Sequence, residues 1–411
     1  MVSSALPAAV TGIGLVTPAG IGRDESWSGV LSGVSPAATD HVLADAGVPV
    51  DFDCRVPGFD PVALLGRKAA RRLDRFVQLA IVAAREAVAD SGLDPATWDA
   101  TRVGVVIGCG MGGAETWETQ HSRMLEHGPA RVSPLLIPML VPNMVAGHLA
   151  MEFGAKGPNL VTATACASGA TAIGTARDLL RTGACDIVIT GGTEAGLTPL
   201  AMSGFAQMGA LSGRREDPAA ASRPFDVDRD GFVAGEAAGI LILERPEDAR
   251  ARGARVYGAV RGYGASADAH HETAPDPDGN GAERAIRAAL ADAGLAPADV
   301  DHVNAHGTST PLNDVAEART LRRVLGDGFS VTSTKGVTGH TLGAAGAIEA
   351  AFSLLTIVHG QVPPTANLES QDPEIELDVV AKAPRDQAVE VVVSNSFGFG
   401  GQNAVLVLTR D

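Results

Sequence analysis

Aromatic side chains are scarce: Phe, Trp and Tyr make up only 4% of the 411 residues. Ordered packing must therefore come from small and branched aliphatic side chains at close element spacing. Cysteine is scarcer still. Cys54, Cys109, Cys166 and Cys185 form no CxxC pair and have no His-rich partner, which excludes a disulfide framework and a zinc site and fits a reducing cytoplasm. Basic residues are outnumbered 32 to 48, for a net charge of −16. That argues against general binding to nucleic acid or an anionic membrane, and an acidic partner would need a local basic patch. No uninterrupted apolar run approaches the ~20 residues that span a bilayer. The apolar N-terminal stretch lacks a basic leader and is broken by Pro7, Gly12 and Gly14, so it reads as a buried strand rather than a signal peptide.

What is present is Gly (49 residues) within a 45% hydrophobic composition, that of an ordered globular chain. The length suggests two or three domains or one large pseudo-symmetric unit. Short apolar runs at 103–108, 185–190, 240–244 and 405–409 alternate with Ala-rich amphipathic stretches, a mixed α/β pattern with buried strands. The segments 76–95 and 281–297 each read as a helix closed by Gly and then Pro and followed by a strand. Their ends, ADSGLDP and ADAGLAP, suggest one unit used twice, with halves at 1–250 and 251–411. Similar helix ends in an Ala-rich chain are the alternative. Segments 109–158 and 193–235 look like insertions, and loops of that length are usually functional.

In TATACASG (162–169), Cys166 sits among small residues at the start of a helix with Ile173, Ala176 and Leu180 on one face. Unpaired amides and the helix dipole favour thiolate there; a buried structural cysteine is the commoner fate of a lone Cys. DHVNAHGTSTP (301–311) places His306 at a strand end, and STKGVTGHTLGAAG (333–346) places His340 before a small-residue helix. One cysteine with two such histidines can support nucleophilic catalysis and stabilise an enolate, although either His alone could be structural. SNSFGFGGQN (394–403) is a strand ending in a Gly-rich turn able to aim a backbone N–H at a reacting carbonyl.

These four motifs, with VPNMVAGHL (141–149) and SRPFDVDRDGFVAGEAAG (222–239), resemble the elongating β-ketoacyl-acyl-carrier-protein synthases of fatty acid and type II polyketide assembly over essentially the whole chain. The resemblance implies the thiolase-like fold, two pseudo-symmetric α/β halves in five αβαβα layers, usually dimeric. It implies decarboxylative Claisen condensation of a Cys166-bound acyl chain with malonyl-carrier, assisted by His306 and His340. Lys335 and Glu317 match a pair that organises the histidines, and the amides of Cys166 and Phe399 an oxyanion hole with Phe399 as gate. Thr308 and Thr310 match positions that bond the phosphopantetheine arm, and Met111 lines the acyl pocket. No metal or enzyme-bound cofactor is implied, since substrates arrive on acyl carrier protein.

For that acidic carrier, Arg67, Lys68, Arg71 and Arg72 in GRKAARR, with Arg214 and Arg215, offer local attraction, a solvated helix face being the alternative. A thiolase would use two cysteines, a start-up synthase a Cys-His-Asn set, and a non-catalytic chain-length factor would lack Cys166. Departures stand at Gln402, Glu272 and Pro142, the last in the segment 131–149 that in this family helps bury the dimer face. An identical partner and a homologous chain-length factor both remain open, as do primary and specialised pathways.

Overall fold

The shortage of aromatics has a structural counterpart in how closely helices lie on strands. The computed structural model describes residues 7–410. Along the N-terminal half run β1 (Ala8–Thr17), α1 (Arg75–Ser91), β2 (Val103–Gly108), α2 (Ala114–His127), α3 (Asn143–Phe153), β3 (Asn159–Thr162), α4 (Ser168–Arg181), β4 (Ile187–Glu194), α5 (Pro199–Gln207) and β5 (Ala237–Glu244). The C-terminal half adds β6 (Gly258–Ala267), α6 (Asn280–Ala293), β7 (His302–Asn304), α7 (Pro311–Leu325), β8 (Ser330–Thr332), α8 (Ala345–His359), β9 (Asp378–Val379), β10 (Val391–Gly398) and β11 (Gln402–Thr409). β1 is buried throughout, as its charge-free sequence predicts; residues 1–6 of that stretch lie outside the described residues.

The main sheet reads β9-β8-β7-β10-β11-β6-β1-β5-β4-β2-β3. From its middle outward, β1-β5-β4-β2-β3 and β6-β11-β10-β7-β8 repeat the same directions: antiparallel, antiparallel, parallel, parallel. The repeat extends to single atoms. A Cβ on Gly12 or Gly14 of β1 would stand 2.1 or 1.9 Å from the carbonyl oxygens of Ala87 and Ala83 in α1, and Gly262 and Gly264 of β6 meet Ala289 and Ala285 of α6 at 2.3 and 2.1 Å. Only hydrogen fits at those four positions, so alanine on one side and glycine on the other set the layer spacing. Helices α1 and α3 cover one outer face, α6 and α7 the other, and α4 and α8 lie between the halves.

β1 and β6 pair over only three residues, Ala8–Val10 against Gly258–Val260. Beyond that contact the N–H groups of Ile13 and Leu15 donate to the carboxylates of Asp90 and Glu86 on α1. α8 with its preceding turn, Leu342–His359, is long and apolar enough to cross a bilayer, yet it is the buried inner helix of the core. Its hydrophobicity serves the contact between halves.

One buried charge cluster makes stability depend on pH. Asp40 and Asp53 meet beside Arg55, and burial, followed by the neighbouring carboxylate charge, pushes Asp53 up to about 8 against the opposing pull of Arg55. The folded chain thus keeps a proton that the unfolded chain releases near the usual carboxylate range. Stability present at low pH is lost as pH rises toward and through about 8. Asp53→Asn, which cannot ionise, is expected to melt higher than the wild type at pH above about 8, with the gap narrowing as pH falls and closing only near the ordinary carboxylate value, about pH 4, in denaturation curves across pH.

Candidate active site

Two helix starts bring the reacting groups together. α4 and α8 touch through small residues, Gly169 against Ala347 and Gly346 against Ala170, contacts a larger side chain would push apart. Cys166 lies in the 3₁₀ turn Ala165–Ala167 just before α4 and is 6% exposed. Ala165 holds a left-handed φ of 48°, and Ser168 Oγ ties the turn by donating to Ala165 O at 2.6 Å and accepting from Thr164 N at 2.9 Å. His340, just before α8, is fixed through its backbone: its N–H donates to Val233 O at 2.7 Å, and its carbonyl accepts from Gly235 N at 2.9 Å. The segment 193–235, read as an insertion, therefore carries the isolated bridge, Ala234 against His340, that sets His340.

The Nε2 of His340 is 3.0 Å from Cys166 Sγ. The His306 ring stands edge-on to it, centroids 5.4 Å apart at 85°. Phe232 packs edge-on to His340 at 5.3 Å and Phe397 to His306 at 5.7 Å. The backbone N–H groups of Phe399 and of Cys166 itself face the sulfur.

Lys335 and Glu317, matched to a pair that organises the histidines, do so from separate places and not as an ion pair with each other. The Lys335 ammonium is bound to Glu349 on α8, both groups about 1% exposed. Glu317, on α7, instead accepts the N–H of His306 and of Gly307, each at 2.8 Å, and the side-chain amide of Asn395 at 2.9 Å. It holds the His306 turn from behind while Lys335 supplies charge beneath both rings. The signal for Glu349 was available, since it is the one charged residue between Lys335 and Glu369.

Electrostatics sets the protonation states. Burial pushes the Cys166 thiol up to about 11, outweighing the amides of Phe399 and Cys166 and the Lys335 charge. Desolvation thus opposes the preference for thiolate that a helix start gives. Burial, then the Lys335 charge, holds both histidines well below their ordinary value and hence neutral. Burial likewise raises Glu317 to about 7.

A cavity of about 580 Å³ runs from the exposed rim residues Leu312 and Met208 to Cys166, with Thr308, Thr310, Met111 and Phe399 in its lining. The hydroxyls of Thr308 and Thr310 are 3.0 Å apart. The GFGG turn is tied to the segment carrying Glu272, whose carbonyl accepts the Gly400 N–H at 2.7 Å. Sequence reasoning missed Glu194 of β4, a buried carboxylate accepting the amides of Gly110 (2.7 Å) and Met111 (3.1 Å) and so fixing the pocket wall.

Arg67, Lys68, Arg71 and Arg72 are exposed, with no side-chain ion pair or hydrogen bond among the described residues. They occupy a single turn, Arg67–Ala70, and its end rather than two turns. Arg215 is not a free cation, since it grips Asp51 through Nε and Nη2, whereas Arg214 donates to the backbone oxygen of Asp228 and has no carboxylate partner among the described residues.

Residues 6–249 match the β-ketoacyl synthase N-terminal domain and residues 257–369 its C-terminal domain. The chain is 48% identical to the 3-oxoacyl-[acyl-carrier-protein] synthase 2 of Synechocystis sp. and 46% identical to that of Staphylococcus aureus, covering 98% of this chain and 97% of each relative. Similar solved structures include a type II polyketide acyl-carrier protein in complex with its ketosynthase bound to the hexaketide (33% identity, TM-score 0.92) and the ishigamide ketosynthase/chain length factor (35%, 0.91), each aligned over 99% of both chains.

Proposed function

Because this chain belongs to the β-ketoacyl synthase family, we propose that Cys166, His306 and His340 carry out its decarboxylative condensation, with the work divided between halves at 1–250 and 251–411. The enzyme is an elongating ketosynthase: it joins an acyl chain to malonyl on acyl carrier protein, giving β-ketoacyl-carrier, CO2 and free carrier. The observation carrying the assignment is the 3.0 Å approach of a neutral imidazole to a buried thiol that two amides face.

In the first half-reaction Cys166 Sγ attacks the acyl thioester carbon while His340 Nε2 takes its proton. The amides of Cys166 and Phe399 hold the developing oxyanion, and the carrier thiol leaves with a proton. In the second, malonyl-carrier loses CO2 and the electron pair of the broken C–C bond moves to the thioester oxygen, held by the N–H of His306 and, once its proton has moved to Nε2, by that of His340. Neutral histidines suit that role because they donate without needing a counter-charge in a dry site. The enolate carbon attacks the acyl-enzyme, the C–S bond breaks, and the departing Cys166 thiolate takes a proton from solvent through His340 to restore the thiol. Thr308 and Thr310 bond the phosphopantetheine arm, and the cytoplasm is the compartment that four free buried thiols fit.

Arg67, Lys68, Arg71 and Arg72 dock the carrier. Reversing Arg71 and Arg72 is expected to cut carrier-dependent turnover while sparing acylation by small pantetheine thioesters, an effect that shrinks as salt shortens the screening length to about 8 Å. Equal losses with both donors would assign the patch to structure.

A second reading is favoured by the exposed Trp117, Leu125, Ile137, Met151 and Leu160 on α2, the turn Leu136–Leu140, α3 and the edge strand β3. A second subunit covers such a face, either an identical copy or a homologous chain-length factor. The chain expressed alone, given acyl- and malonyl-carriers with products read by mass spectrometry, tests both readings. Elongation by a homodimer supports the primary reading and excludes an obligate heterodimer; a lone chain that never elongates, even beside a chain-length factor, overturns the assignment.

A further inference from the structure

Gly196 lies two residues beyond the end of β4, buried, in a backbone conformation open to any residue. Nothing in its dihedral angles asks for glycine. Space does: a Cβ built there would stand 1.8 Å from the terminal methyl of Met111, 3.5 Å from its sulfur and 3.8 Å from Leu342 Cδ1. The end of the Met111 side chain thus occupies the volume that any other residue at 196 would fill.

The neighbours of this notch define what it governs. Met111 and Leu342 both line the cavity that ends at Cys166, whereas Gly196 does not, because the Met111 methyl covers it. The Met111 backbone is immobilised by the bond from its N–H to Glu194 Oε1, and that of Gly110 by Glu194 Oε2. Only the side chain can move, and an unbranched thioether moves easily. It has two places to go, back into the notch or forward into the acyl cavity.

We propose that Gly196 is a chain-length determinant: its missing side chain is a receptacle that keeps Met111 flush with the wall, so that longer acyl chains fit beside Cys166. The substrates it admits are extended acyl thioesters presented on the carrier, as opposed to short primers that end before Met111. The proposal rests on the ketosynthase reading of the site.

Gly196→Ala fills the notch and drives the Met111 methyl into the cavity. Acyl-enzyme formation on Cys166 is read by mass spectrometry with acyl-carriers graded from acetyl to palmitoyl. Long-chain loading is expected to fall roughly tenfold or more relative to acetyl, the size of effect that overpacking produces, while acetyl loading holds. Adding Met111→Ala to Gly196→Ala is expected to restore long-chain loading, because the displaced group is gone. An unchanged ratio of long to short loading, an equal loss at all lengths, or a double variant that stays blocked each overturns the proposal while leaving the ketosynthase reading intact. A wild-type enzyme that loads no acyl chain of any length removes both.

Discussion

Cys166→Ala is expected to lose acyl-enzyme formation altogether and to lose condensation by about 10⁶-fold, the size of loss seen when a covalent nucleophile is removed from a hydrolase. No other nucleophile can take over. Cys54, Cys109 and Cys185 are buried away from the cavity lining, and burial pushes Cys54 up to about 12 and Cys109 well above its usual value. The intact mass after incubation with acyl-carrier is the measurement, and any acyl adduct of normal yield on the variant would sink the mechanism. Release of CO2 from malonyl-carrier should persist in Cys166→Ala, because His306 and His340 need no thiol to hold an enolate. Loss of decarboxylation as well would mean that the substitution had disturbed the histidines instead of only removing the sulfur.

The second large effect separates the two histidines. His340 stands at the sulfur and His306 behind it. His306→Ala should therefore load acyl chains at close to the normal rate and fail in condensation, by roughly 10²–10⁴-fold as for loss of an acid–base or oxyanion group. His340→Ala should be slow in both half-reactions, since a thiol raised to about 11 loses its proton acceptor. Single-turnover acylation and malonyl-dependent turnover, measured separately, distinguish them. Two variants with the same defect in acylation would show that the 3.0 Å contact has no kinetic meaning.

Much of this site was legible because its chemistry sits in contiguous motifs. Cys166, His306 and His340 each lie in a run of small residues at the start of a helix or the end of a strand, and the structure gathers them in one cavity. The duplicated helix ends pointed to the repeat that the strand order displays. What was not legible were partners. Lys335 reaches Glu349 fourteen residues on, and nothing local marks that acid as its partner except isolation in an apolar helix. The preference for thiolate at a helix start was weighed without the burial that opposes it. Arg215 read as a docking cation because its carboxylate, Asp51, lies 164 residues away.

The place of α8 between the halves has a consequence for how the polypeptide is made. Its residues Ala345–His359 cover the inner faces of β4 and β5, which end at Glu194 and Glu244 and were synthesised well before it, as well as those of β10 and β11, which follow it. While the ribosome is still translating the second half, the inner face of the first sheet is only partly covered, by α4, and an apolar surface stays in water. The N-terminal half thus waits for its inner wall, and folding must join segments far apart in sequence, an ordering that slows the reaction.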